Sequence, residues 1–425
     1  MIPVVTPDEM GRIDATSPDP VDVLIARAGA AVARAAVALM GGTYGRRVVV
    51  VVGKGNNGAD GRAAADQLRQ RGVRVVVVDA ADAPARLPAS DLVIDAAYGT
   101  GFHGSYDAPD PGGAPVLAVD IPSGVDGTTG TASETSVRAD ATVTFAALKP
   151  GLLLGEGPGR AGDVEVVEIG LDVGPARCHV VEDVDISTWL PDRARETNKW
   201  ERAVSVVAGS GGMLGAAMLA SHGASRAGAG MVRLYSPGSP PDVFPPSEVV
   251  ARALGGGSWW NEVLGDDRAH SVVVGPGLGR AGATAGEVRE LVSRAATPVV
   301  VDADGLFALG GPDDAAALLG ARSAPTVLTP HEGEFARLTG ADAGADRLAS
   351  VRAAAQRFGA TVLLKGSTTV VADPDGRVLL TTSGGPFLAT AGTGDVLSGV
   401  IGAFLAAGLA PLEAAAAGAH VHGRA

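Results

Sequence analysis

The chain has 425 residues, 46% of them hydrophobic but only 4% aromatic, one cysteine and a formal net charge of −13. That length calls for two cores, packed mainly from Ala, Val and Leu. An acidic balance without a basic tract excludes nucleic acid and anionic membrane as partners, and the lone Cys178 excludes an internal disulfide framework or a Cys-based zinc site.

Met1 to Ala15 carries Asp8, Glu9 and Asp14 where a signal peptide needs an apolar segment, and no uncharged apolar run reaches membrane-spanning length. A soluble protein of the reducing cytoplasm is expected. The lysines are Lys54, Lys149, Lys199 and Lys365, so basic positions are overwhelmingly Arg and each Lys is a mild flag.

Residues 20–40 place Val23, Leu24, Ala28, Ala31, Val32, Ala35 and Leu39 at helical spacing, predicting a helix over a sheet face. Arg47 to Val52 is a continuous apolar run, as expected of a parallel strand covered on both faces. The loop Gly53-Lys54-Gly55-Asn56-Asn57-Gly58-Ala59-Asp60-Gly61 follows, then a helix from Arg62 to Arg71. Strand, glycine loop and helix in that order make a phosphate- or dinucleotide-binding turn plausible, and the Asn and Asp oxygens also suit a hard cation or sugar hydroxyls. Taken alone, a turn rich in Asn and Gly is the slightly better reading.

Further strands are predicted at Val73–Val78, Leu92–Ile94, Val116–Val119, Ala141–Ala146 and Val164–Ile169. The third ends in Asp95 before Tyr98-Gly99-Thr100-Gly101, and the fourth ends in Asp120-Ile121-Pro122-Ser123-Gly124. In an open parallel sheet these carboxyl ends share one edge, so the polar loops converge on one crevice.

Between Gly170 and Lys199 apolar periodicity lapses and charge rises, which places the join at about residue 185, giving units 1–185 and 186–425. Ala203 to Ala208 opens a second βα series, with Gly209 to Gly212 as its loop and Met213 to Ala227 as its helix. Strands follow at Met231–Leu234, Ser271–Val274, Pro298–Val301, Thr326–Leu328 and Thr361–Leu364. Their loops are Gly275-Pro276-Gly277-Leu278-Gly279, Asp302-Ala303-Asp304-Gly305, Thr329 to Glu334 around His331, and Lys365-Gly366-Ser367-Thr368-Thr369. Each has a bland alternative: His331 a satisfied turn histidine, Asp302 and Asp304 helix caps, Lys365 a solvated residue before a hairpin.

The run Ala391-Gly392-Thr393-Gly394-Asp395-Val396-Leu397-Ser398-Gly399 feeds directly into the apolar stretch Val400 to Leu409. A glycine turn opening a buried helix offers backbone N–H groups and a partial positive charge to phosphate, with Asp395 beside both. That is the layout of a phosphoryl-transfer site with its own base; for an isolated GTGD, a glycine turn whose Asp395 serves only the helix dipole is as good a reading. A last helix starts near Pro411.

These stretches together resemble a known family. GPGLG, DADGL, PHxGE, KG and GTGDVLSG, in that order, look like the ADP- or ATP-dependent NAD(P)H-hydrate dehydratases of the ribokinase-like superfamily, whose chains usually run on past Ala425. The Asn57 loop, Asp95 before a GTG loop, and D-x-P-S-G at Asp120 resemble the NAD(P)H-hydrate epimerase domain often fused to them. The resemblance implies a Rossmann-like three-layer αβα domain followed by a ribokinase-like α/β domain, in a cytoplasmic enzyme expected to be a homo-oligomer. It implies small-molecule partners only, hydrated NADH or NADPH with ADP or ATP, and no nucleic acid or membrane.

By the same resemblance, Asn56, Asn57, Gly58, Ala59 and Asp60 with Gly99, Thr100, Gly101, Phe102, His103, Gly104 and Ser105 would line the hydrated nucleotide. Asn57, Asp95 and Ser123 would hold a potassium ion, and Asp120 would touch the substrate as acid and base. Ala59 stands where the family has a second glycine, a methyl tolerable only at negative φ with no ligand atom against it. In the second domain Lys365, Gly366, Ser367, Thr368, Thr369, Gly392, Thr393 and Gly394 would hold the adenine nucleotide with magnesium on its phosphates. Ala216, Gly277, His331 and Asp395 would contact the hydrate, Asp395 as the base. Two other functions fit parts of the pattern: a kinase of a vitamin hydroxymethyl group, and a non-catalytic nucleotide-binding or oligomerising first domain.

Overall fold

The computed structural model describes residues 1–245, 247–254 and 258–425. It divides into two compact units, Ile2–Arg177 and Cys178–Ala425, with Met1 grouped with the second. The division falls upstream of the expected join because Cys178–Val180 pairs in parallel with Val378–Leu380, and Ile186 enters the second core.

The first unit is built on six parallel strands in the order Arg74–Asp79, Arg47–Val52, Leu92–Ala96, Val116–Val119, Ala141–Phe145, Asp163–Val167. The valine run explains how both faces are filled. Val48, Val50 and Val52 pack with Val32, Ala64 and Leu68 from the helices Val21–Met40 and Asn56–Gln70. Val49 and Val51 point to the opposite face, covered by Leu87, Tyr106, Val137 and Ala139 from extended chain. Val21–Met40 is the one described helix long and apolar enough to cross a membrane, yet Asp22, Arg27 and Arg34 break its apolar length and one face packs into the core.

The second helix begins at Asn56, so the Asn-Asn-Gly-Ala-Asp segment is its first turn and not part of the preceding loop. Ala59 therefore has helical, negative φ and needs no glycine; among the described residues, the non-glycine ones at positive φ are Asp120, Ala146 and Ala303. Gly58 is different, since a Cβ there would lie 2.0 Å from the carbonyl oxygen of Gly53. Gly58→Ala is expected to lower stability by about 1–3 kcal/mol through overpacking, whereas Ala59→Gly costs only about 0.5–1 kcal/mol. Urea unfolding of both variants measures the contrast.

The second unit's sheet runs Cys178–Val180, Val378–Thr381, Thr369–Ala372, Thr361–Leu364, Thr326–Leu328, Val299–Val301, Ser271–Val274, Ala203–Val207, Met231–Tyr235, Val250–Arg252. All neighbours are parallel except around Thr369–Ala372, which is antiparallel to both of its partners. One face carries the helices Leu214–Arg226, Thr393–Ala406 and Pro411–Arg424, which share a core with Val204, Val206 and Val273. The first two cross so closely that a Cβ on Gly399 would lie 1.9 Å from the Ala220 carbonyl oxygen.

Candidate active sites

In the first unit, the strand ends at Gly53, Ala97, Asp120 and Ala146 line up along one edge of the sheet, beside a cavity of 820 Å³. Of the residues expected there, Asn56, Asn57, Asp60, Gly99, Thr100, Gly101, Phe102, His103 and Asp120 line it; Gly58, Ala59, Gly104 and Ser105 do not. Tyr98 packs against Phe102 with ring centroids 4.7 Å apart and planes tilted by 42°, giving the cavity an aromatic wall.

Asp120 sits at φ 67°, a left-handed conformation Asp tolerates better than most residues. Its Oδ1 is 2.6 Å from the ammonium of Lys149 and accepts a hydrogen bond from Thr144 Oγ1 at 3.1 Å. Lys149 is 1% exposed and also donates to Thr144 Oγ1 and the Phe145 carbonyl, both at 2.9 Å. Sequence reasoning noted Lys149 only as one of few lysines and gave it no role. Asp60 and Asp14 line the same cavity; burial, then the charges of Asp120 and Asp14, push Asp60 up to about 8. Burial also raises Asp14, with Lys149 opposing.

Asp95 and Ser123 lie deeper, 3% and 0% exposed. The Ser123 amide donates to Asp95 Oδ2 at 2.8 Å and its hydroxyl to Oδ1 at 2.7 Å, while burial outweighs these bonds and pushes Asp95 up to about 6. Asn57 comes close to Gly99, and both its side-chain oxygen and nitrogen are buried with no partner among the described residues. An orphaned amide oxygen, a buried serine hydroxyl and a carboxylate are hard oxygen donors of the kind that suit a cation.

In the second unit the parallel strands deliver their loops to one edge. Lys365 Nζ donates to Asp302 Oδ1 at 2.7 Å, and Asp302 is 1% exposed, so this pair is no cap and no solvated lysine. Asp304 instead ties the GPGLG loop down, accepting from the Gly279 amide and Arg280 Nε, both at 2.9 Å. Gly392, at φ 92°, turns the chain into the Thr393–Ala406 helix. A Cβ on Gly394 would lie 3.2 Å from Lys365 Nζ and 3.9 Å from Asp302 Oδ2, so the helix start abuts that ion pair. Asp395, in the first turn, is pushed up to about 6 by burial and by Asp302, with Lys365 opposing.

Gly277, at φ 64°, faces Ala216, whose Cβ would be 2.9 Å from one built on the glycine. His331 caps the Glu332–Thr339 helix: its Nδ1 accepts from the amides of Gly333 and Glu334, while its own amide donates to Glu334 Oε2. The capping alternative therefore describes Nδ1, and Nε2 lies 3.6 Å from Glu334 Oε1. The segment Lys365 to Thr369 leads into a hairpin, Thr369–Ala372 with Val378–Thr381.

A glycine turn opening a helix, a half-buried carboxylate and a lysine–aspartate pair at the edge of a mixed, largely parallel sheet define an α/β nucleotide-handling enzyme in the second unit. A ribokinase-like superfamily protein from Enterococcus faecalis shares that fold, with a TM-score of 0.50 and 22% identity over 58% of this chain and 86% of its own. The family model described as NAD(P)H-hydrate dehydratase matches residues 204–425, and that of the YjeF-related protein N-terminus matches 21–88 and 79–151. Bifunctional NAD(P)H-hydrate repair enzymes align along both units. That of Mycobacterium leprae is 41% identical over 91% of this chain and 84% of its own, and that of Salinibacter ruber 37% identical over 89% and 82%. The chain belongs to this family of bifunctional NAD(P)H-hydrate repair enzymes.

Proposed function

We propose that the chain restores NADH and NADPH from their hydrates, the first unit exchanging the R and S epimers and the second dehydrating the S hydrate at the expense of ADP or ATP. The carrying observation is Asp395, half-buried at the glycine turn of residues 392–394 and beside the Lys365–Asp302 pair. The hydrate bears a hydroxyl on the carbon next to the ring nitrogen, and hydroxide is a poor leaving group. Asp395 takes the hydroxyl proton as that oxygen attacks the terminal phosphorus of the nucleotide, whose bond to the bridging oxygen breaks and releases AMP from ADP or ADP from ATP. The amides of residues 392–394 hold the transferring oxygens. The ring nitrogen's lone pair then expels phosphate, and loss of a proton from the neighbouring carbon restores the dihydropyridine.

Lys365, the loop to Thr369, and Gly392 to Gly394 are the proposed nucleotide site, and Ala216, Gly277 and His331 the proposed hydrate contacts. Magnesium would come with the nucleotide phosphates, whose charge it neutralises. In the first unit Asp120 is the proposed acid/base group, and Asn57, Asp95 and Ser123 the proposed potassium site. The unpartnered Asn57 oxygen supports that site, which would supply a fixed positive charge.

Supplying chemically hydrated NADH with ADP, then ATP, tests the reading: the near-ultraviolet absorbance of the dihydronicotinamide returns, and no recovery with either nucleotide ends it. Because Asp302 raises Asp395, Asp302→Asn is expected to move the acid limb of the dehydration rate to lower pH. An unmoved limb contradicts the coupling.

A further inference from the structure

The first unit's cavity holds three carboxyl groups, Asp14, Asp60 and Asp120, and they are not equivalent. A buried ammonium persists only when paired and hydrogen-bonded, and Lys149 meets that condition through Asp120, Thr144 and the Phe145 carbonyl. Thr144 donates to the same Asp120 oxygen that the ammonium approaches, so Asp120 is gripped from two sides. Asp60 is 8% exposed, lines the cavity, and makes no hydrogen bond or ion pair among the described residues.

We propose that Lys149 sorts these groups into two roles, fixing Asp120 as the ionised base and leaving Asp60, which lacks a counter-ion, as the proton donor to the same substrate. Lys149 is a positioning residue here and Asp60 a catalytic one. The inference rests on the reading of this unit as the epimerase. Asp120 takes the proton of the substrate hydroxyl, its C–O bond becomes C=O, and the C–N bond breaks with its electron pair on the ring nitrogen. That nitrogen takes the proton of Asp60. Rotation about the bond to the freed aldehyde and the reverse steps close the ring on the other face, returning each proton to its donor. Two carboxyl groups in unequal surroundings are what such an exchange of protons needs. The elevation of Asp60 to about 8 agrees with a proton held at neutral pH. The other titratable groups facing the cavity are Asp14 from the Pro7–Thr16 helix, Lys54, Tyr98 and His103.

The test is epimer exchange by the full chain without nucleotide, started from hydrate enriched in one epimer and followed from about pH 5 to about pH 9. The rate is expected to fall on the alkaline side, with the limb near 8. Asp60→Asn is expected to lose about 100-fold and the alkaline limb with it. Lys149→Met is expected to lose about 100-fold in exchange rate, and Lys149→Arg to restore part of the loss. An Asp60→Asn enzyme keeping rate and alkaline limb, or a Lys149→Met enzyme exchanging at the wild-type rate, overturns the division of roles. Should Lys149→Met fail to fold, Asp60→Asn decides. Wild-type exchange by Asp120→Asn would sink the underlying epimerase reading; an inactive Asp120→Asn beside unchanged Asp60→Asn and Lys149→Met sinks only the inference made here.

Discussion

Replacing Asp395 with asparagine is expected to lower hydrate dehydration about 1000-fold while ADP and ATP still bind. Asparagine keeps the size of the side chain, so the turn of residues 392–394 next to Lys365 is undisturbed. What goes is the ability to take a proton from the hydroxyl as it attacks phosphorus. Because burial pushes Asp395 up to about 6, the wild-type rate is expected to fall as pH drops through that value, where the carboxylate gains a proton and ceases to be a base. The variant lacks that limb. Isothermal nucleotide titration beside an absorbance assay separates binding from chemistry, and activity within tenfold of wild type would remove Asp395 as the base.

Asp120→Asn is expected to lower epimer exchange by about 1000-fold and leave dehydration of the S hydrate at its wild-type rate. Asn tolerates the left-handed conformation at φ 67°, so the strand end keeps its course. The variant leaves the buried ammonium of Lys149 facing a neutral amide, which also predicts a loss of stability of about 3–5 kcal/mol in the first unit. Chromatographic resolution of the epimers gives the rate, and an Asp120→Asn enzyme that exchanges normally contradicts the assignment.

The parallel strands were readable because burial on both faces leaves runs such as Arg47–Val52 and Ser271–Val274 almost without polar residues, and glycine loops mark their carboxyl ends. Short or mixed elements left no such trace. Cys178–Val180 has three residues within a charged stretch, so the join was placed downstream of the strand that belongs to the second sheet. The Asn56 helix start was hidden because Asn-Asn-Gly has turn propensity, and only the fold, in which a Cβ on Gly58 would lie 2.0 Å from the Gly53 carbonyl oxygen, shows why that glycine tolerates no side chain. Part of the first cavity's lining, Asn56, Asn57, Asp60 and Gly99 to His103, was legible from its loops. The wall of Met10, Val21, Leu24 and Ala28 comes from helices that no local pattern ties to it. Lys149 was not legible either: its partner Asp120 lies on a different strand end, and no local pattern announces an ion pair closed by tertiary folding. The unequal surroundings of Asp60 and Asp120 were likewise beyond sequence, since burial and counter-ion placement are properties of the fold.

The proposed route makes the substrate's own oxygen the bridge to phosphorus, so its fate is the most direct test. Dehydration of hydrate carrying oxygen-18 in the hydroxyl should deliver the label to inorganic phosphate, read by phosphorus NMR or mass spectrometry. Label recovered in water, with unlabelled phosphate formed at the same rate, would mean that the hydroxyl leaves without being phosphorylated, and would contradict Asp395 as the base of that transfer.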